Sequence, residues 1–121
     1  MNEKLMEPIS LYNQGKYHDS HGILIWLWTQ APAGEKQIYE AFMRLVEGMS
    51  FAHVQQWEKA KDFFLDAWKK LGKVEEKLDF IDVYNLKEES YTAAVAAERV
   101  ILGEAPAFDL FYAPRINVKS R

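Results

Sequence analysis

Displaced on itself by 40 residues, the sequence places Tyr17 over Trp57, Ser20 over Ala60, Leu24 over Phe64 and Leu27 over Ala67. A small residue at Ser20 or Ala60 lets two helices approach closely, and the bulky residue four places later fills the groove beside that contact. The recurrence therefore predicts one helical hairpin used twice, the two copies clasping a shared dry interior in which Tyr17 and Trp57 play matching parts. With 121 residues the chain has room for a single core of ordinary size.

Hydrophobic spacing supplies the individual helices. Leu5, Ile9 and Tyr12 keep a three-to-four period, Asn2 stands where a cap belongs, and Gly15 offers a left-handed stop, which predicts a helix over 3–14. Tyr17, His21, Leu24 and Trp28 share a face of a second helix over 17–30, halted by the Pro32 and Gly34 region. Ile38, Phe42, Leu45, Val46, Met49 and Ala52 mark the longest helix, running to about Gln55. Trp57, Ala60, Phe64, Ala67 and Leu71 line a fourth with a charged outer face, and Gly72 is expected to end it. The hairpins are thus 3–30 and 35–72. Residues 73–85 are expected to form a linker whose apolar half, Leu78, Phe80, Ile81 and Val83, docks on the bundle. Asn85 with Glu88 resembles a capping pair for a fifth helix over 86–102, its inner stripe expected to include Tyr91, Ala94, Val95, Val100 and Ile101. The tail 104–121 carries Phe108, Leu110, Phe111 and Tyr112, too apolar for a free end, and is expected to lie extended over the helices. The expectation is one all-α domain over 1–121 with about five helices.

Gly48-x-x-Phe51 followed by Ala60-x-x-x-Phe64 and Ala67 is similar to the tetratricopeptide repeat, and the first unit adds Gly15, Tyr17 and Pro32 at corresponding places. The unit here is 40 residues instead of about 34, and Arg44, Gln55 and Gly72 stand where that repeat has Trp, Gly and Pro. A second likeness covers roughly residues 9–118. Tyr12-Asn13-x-Gly15-x-Tyr17-x-Asp19-Ser20-His21-x-Ile23-Leu24-x-x-x-Trp28 resembles the signature F-N-x-G-x-Y-x-E-A-H-E-x-L-E-x-x-W of the domain-of-unknown-function family 309. His53, Ala60, Ile81-Asp82-Val83 and Pro114-x-Ile116 agree with its later features. That resemblance implies an all-helical fold and no established activity. Gly22 and Ile25 replace glutamates of that family, which weakens any carboxylate-assisted role for His21.

Charge and composition narrow the function classes. Fifteen basic against 18 acidic residues give a net charge of -3, no electrostatic footprint for nucleic acid or an acidic membrane surface. Arg115, Lys119 and Arg121 make the end basic, too few charges to change that. The longest apolar run, Ile23 to Trp28, is far below the ~18 residues that cross a bilayer, and the opening Met1-Asn2-Glu3-Lys4 starts no signal peptide, so a soluble cytoplasmic protein is expected. Having no cysteine, the chain makes no disulfide or thiolate metal site. Neither GxGxxG nor a P-loop occurs, and no cofactor is expected.

Among candidate chemistries, Asp19, Ser20 and His21 are the residue types of a nucleophile triad, yet adjacent helical positions point about 100 degrees apart and cannot bond one another. His18 and His21 share a face and with His53 or Asp19 are metal-ligand types, but no second metal-binding element accompanies them and no metal is expected. His21 is expected to be a sealed core histidine, hydrogen-bonded to Arg44 or Glu47 on the third helix. The alternative is a ligand pocket around Tyr17, His21, Trp28, Arg44 and Glu47, belonging to a small enzyme or binding protein. Six consecutive apolar residues leave the second helix no polar side there. Ile25 and Trp26 therefore need cover from the fifth helix, from the tail or from another chain. Together with Phe108, Phe111 and Tyr112 they form the expected interface of a non-catalytic interaction or scaffold module that binds itself or another protein.

Overall fold

The computed structural model describes residues 2–106 and 113–119; the candidate interface residues Phe108, Phe111 and Tyr112, with Leu110, lie outside them. Five α-helices follow one another: α1 (Asn2–Asn13), α2 (Tyr17–Gln30), α3 (Ala33–His53), α4 (Trp57–Val74) and α5 (Val83–Ile101), with one 3-10 turn at Glu75–Lys77. The fold is all-α, and each helix packs against the next in sequence. No described helix is long and apolar enough to cross a membrane.

The turn that ends α1 recurs 40 residues later at the end of α3. After α1, the Lys16 amide donates to the Leu11 carbonyl at 2.9 Å and the Gly15 amide to Tyr12 at 2.9 Å. After α3, Gln56 donates to Phe51 at 2.9 Å and Gln55 to Ala52 at 3.0 Å. This pair of bonds is the Schellman closure, which needs one residue in the left-handed region. Gly15 takes that position with φ 79° and Gln55 with φ 63°. Gln55 accepts a conformation that disfavours a side chain, so Gln55→Gly is expected to stabilise the protein by about 1 kcal/mol. Urea denaturation checks this, and a loss of stability would show that the Gln55 side chain holds the turn.

Leu5, Ile9 and Tyr12 of α1, Leu24 and Leu27 of α2 and the Ile38 to Ala52 stripe of α3 meet Ala60, Phe64, Ala67 and Leu71 of α4 in one core. Tyr17 and Trp57, each opening the second helix of its hairpin, pack on that core from half-buried positions. Ser20 is fully buried and its hydroxyl donates to the Pro8 carbonyl at 2.8 Å, so the small residue at the α1/α2 contact also satisfies its own polar group. In the second hairpin the counterpart of Ser20, Ala60, is likewise fully buried, and Gly48, 40 residues after Pro8, lies against the Phe64 ring, which is 2.8 Å from where a Cβ would stand.

Several boundaries differ from expectation. Helix α3 ends at His53, short of the expected Gln55, because Gln55 turns into the left-handed region. Gly72 does not end α4, which continues to Val74 because Leu71 and Val74 are both buried and hold the last turn on the core. The fifth helix starts at Val83 instead of residue 86, because Asp82 caps it by accepting the Asn85 amide at 3.1 Å; Asn85 sits inside the first turn. Leu78 and Ile81, in the stretch between α4 and α5, are buried.

Residues 113–119 run extended and tie the first helix to the approach to the last. Tyr12 donates its hydroxyl to Pro114 O at 2.5 Å, and Asn13 exchanges two hydrogen bonds with the Ile116 backbone. Lys119 N donates to Phe80 O at 2.8 Å and Asp82 N to Asn117 O at 3.1 Å, flanking an antiparallel bridge of Ile81 with Val118. Burial, and then the nearby Tyr17 and Glu89, push the Tyr12 phenol well above its ordinary value, so it stays a donor.

Candidate functional site

The turn after α1, the first turns of α2 and the end of α3 enclose an open cleft of about 630 Å³. Its walls include Tyr17, His18 and His21 from α2 and Glu47, Ser50 and His53 from α3. These helices meet here because α2 and α3 pack antiparallel across the two-residue connection at residues 31–32, which sets the start of α2 beside the end of α3. All three histidines of the chain consequently line one concavity. Burial raises the Tyr17 phenol above its usual value.

His21 is not the sealed, hydrogen-bonded core histidine expected from its face. Its side chain is 28% exposed, and Nε2 lies 3.9 Å from Glu47 Oε2, an ionic distance but beyond a hydrogen bond. Nε2 itself is buried and has no hydrogen-bond partner. The reason is competition: Glu47 is engaged by Arg44 NH1 through its other oxygen, and Arg44 Nε reaches Asp66 on α4 at 3.3 Å. Arg44 thus clamps α3 to α4 and its guanidinium lies 5.7 Å from the Phe63 ring centre.

Of the five residues proposed for a pocket, Tyr17, His21 and Glu47 line the cleft, while Trp28 and Arg44 are turned to other contacts. Trp28 donates its indole N–H to Glu40 Oε1 at 3.1 Å, and Lys36 lies over its ring at 4.3 Å while donating to its carbonyl at 2.6 Å. His18, Ser50 and His53 belong to the cleft although the pocket reading omitted them; the three-residue spacing that sets His18 on the face of His21 is a sequence signal for the first, and the local sequence carries none for Ser50. Among the described residues no group of three or more His, Asp or Glu could hold a metal ion.

The Ile25 and Trp26 side chains receive no full cover from α5 or from residues 113–119. Trp26 is 58% exposed and Ile25 39%. A second exposed apolar set lies on α5, where Tyr91 and Val95 face outward, contrary to their expected place on the inner stripe. No family model matches this chain, and no curated protein or solved structure is found to be similar to it.

Proposed function

We propose that this chain is a non-catalytic interaction or scaffold module, which associates with itself or with another protein through exposed apolar helix faces. The observation that carries the reading is Trp26, more than half exposed beside Ile25 on a helix whose other faces are packed. With Trp26 58% and Ile25 39% exposed, docking recovers roughly 1 to 2 kcal/mol for each. A cytoplasmic location and protein partners, with no nucleic acid, form part of the proposal; the net charge of -3 speaks against nucleic acid.

Ile25→Asp is expected to raise solubility and reduce concentration-dependent association, with helical content unchanged. Light scattering behind a sizing column and circular dichroism check this. If the protein stays strictly monomeric at high concentration and Ile25→Asp alters neither solubility nor stability, the α2 surface is not a docking face.

The cleft favours a second reading, a small-ligand site using His21. Its support is the buried Nε2 without a hydrogen-bond partner in a concavity of ligand size. Imidazole resonances of the three histidines, followed by NMR while small anions and metabolites are added, are then expected to shift for His21 and His53 together. Resonances that stay fixed throughout, or that move only with pH, would remove this reading.

A further inference from the structure

Helix α5 buries Leu86, Ser90, Ala93 and Ala97 on its inner side, and carries a second apolar line on the opposite side. Tyr84, Tyr91, Val95 and Leu102 are between 46% and 64% exposed. Their separations of 7, 4 and 7 residues keep all four within about 20 degrees of one line along the helix, over a length of about 27 Å. Trp68 of α4 leans against Tyr91, ring centres 5.5 Å apart, and broadens the strip at its middle. Charges flank it on both sides: Glu88 and Arg99 along one edge, Lys87 and Glu98 along the other.

We infer that this strip is where two copies of the chain pair, α5 running antiparallel to α5 about a twofold axis at the level of residue 93. The inference rests on the interaction-module reading and gives it a self-pairing surface on α5, separate from the α2 face of Ile25 and Trp26. Tyr84 and Leu102 are equidistant from residue 93, as are Tyr91 and Val95. The twofold axis therefore sets Tyr84 of one copy on Leu102 of the other and Tyr91 on Val95. Each ring meets an aliphatic side chain and the gap between helices stays even. A parallel pair would stack ring on ring at one end and aliphatic on aliphatic at the other, and would align the helix dipoles unfavourably. The same operation brings Glu88 of one copy beside Arg99 of the second, and Lys87 beside Glu98. Charge complementarity on both edges is thus built into one helix. Lys87 and Glu98 are already oriented by ion pairs within the chain, to Glu75 and Lys61, each at 2.8 Å. Among the described residues Glu88 takes part in none of the ion pairs, and Arg99 pairs with the exposed Glu104 at 3.8 Å. The Glu88 and Arg99 edge is therefore the one left for a second copy. A strip of this size falls below the standard interface class, so a weak dimer with a micromolar dissociation constant is expected.

Sedimentation velocity from low micromolar to millimolar concentration tests the pairing. The full chain is expected to pass from monomer to dimer, and Tyr91→Asp, half in solvent and harmless to the core, to weaken the dimer by about 100-fold or more. Glu88→Arg and Arg99→Glu are each expected to weaken it, and the double reversal to restore it, which a merely structural role for either residue would not produce. Because the chain has no cysteine, orientation is read by mixing Tyr84→Cys with Leu102→Cys: the mixture is expected to form a disulfide-linked heterodimer, and Leu102→Cys alone is not. A monomer at every concentration, or a dimer indifferent to Tyr91→Asp and to the charge reversals, overturns the pairing. A dimer lost on Ile25→Asp but not on Tyr91→Asp also overturns it while leaving the module reading intact, and Leu102→Cys crosslinking to itself overturns the antiparallel arrangement.

Discussion

Phe64→Ala is expected to lower the unfolding free energy by about 3 to 5 kcal/mol, enough to threaten folding of a domain this size. The ring is fully buried where α3 crosses α4, and it lies on the bare backbone of Gly48. Truncation removes the ring's transfer energy and leaves a cavity that cannot collapse, because Gly48 offers no side chain to fill it and the helices are held apart by their other contacts. Urea denaturation monitored by circular dichroism measures the loss. A cost below about 1 kcal/mol would mean that the ring does not fill the α3/α4 crossing.

Gly48→Ala carries the second large effect, and its sign is the informative part. In the middle of an exposed helix the exchange of Gly for Ala gains about 1 kcal/mol. Here the added Cβ would lie 2.8 Å from Cδ1 and Cε1 of Phe64, a distance real Cβ atoms do not adopt. The ring is buried on every side and has no free direction in which to swing, so α3 and α4 must separate. The net result expected is destabilisation by about 1 to 3 kcal/mol. In the Phe64→Ala background the methyl group has space, and the same substitution is expected to stabilise. The cycle formed by the two single variants and the double variant then shows a coupling of about 1 to 3 kcal/mol. Stabilisation by Gly48→Ala in the wild-type background would sink the close approach itself.

The pattern of residue sizes in the sequence foreshadows the weight carried by Phe64, but not its approach to Gly48. Ser20 and Ala60, with Leu24 and Phe64 four places on, were legible as matching contacts because close helix crossings need a small residue beside a large one. The left-handed residue at 55 was harder to see. A glutamine there carries no signal of positive φ, and only the repeat with Gly15 indicates it. The start of α5 is ambiguous in the sequence because Asp82 and Asn85 are both capping residue types three positions apart, and the hydrogen bond that Asp82 accepts from the Asn85 amide chooses Asp82. Gly72 is ambiguous for the opposite reason: a glycine permits a stop without requiring one, and burial of Leu71 and Val74 keeps the helix going.

For the candidate site, the sequence put His21 on a face with Tyr17, Leu24 and Trp28, but not at a distance from anything on α3. Arg44 could bind either His21's partner or Asp66, and in the fold it does both jobs with Glu47 and Asp66, which leaves His21 Nε2 at 3.9 Å from the carboxylate. On α5, apolar residues of all sizes were read as one inner stripe. The tightly packed side took the small ones, Ser90, Ala93, Ala94 and Ala97, and left Tyr91 and Val95 outside.

Sequence alone determined the number of helices, the period of 40 and the small-beside-large contacts, because these depend on spacing within a helix and on local backbone preference. Only tertiary structure decided which apolar side of α5 turns inward, which acceptor Arg44 takes and that three histidines share one cleft. Those outcomes depend on helix crossing angles and on side chains competing across distances that neighbouring residues in the chain do not encode.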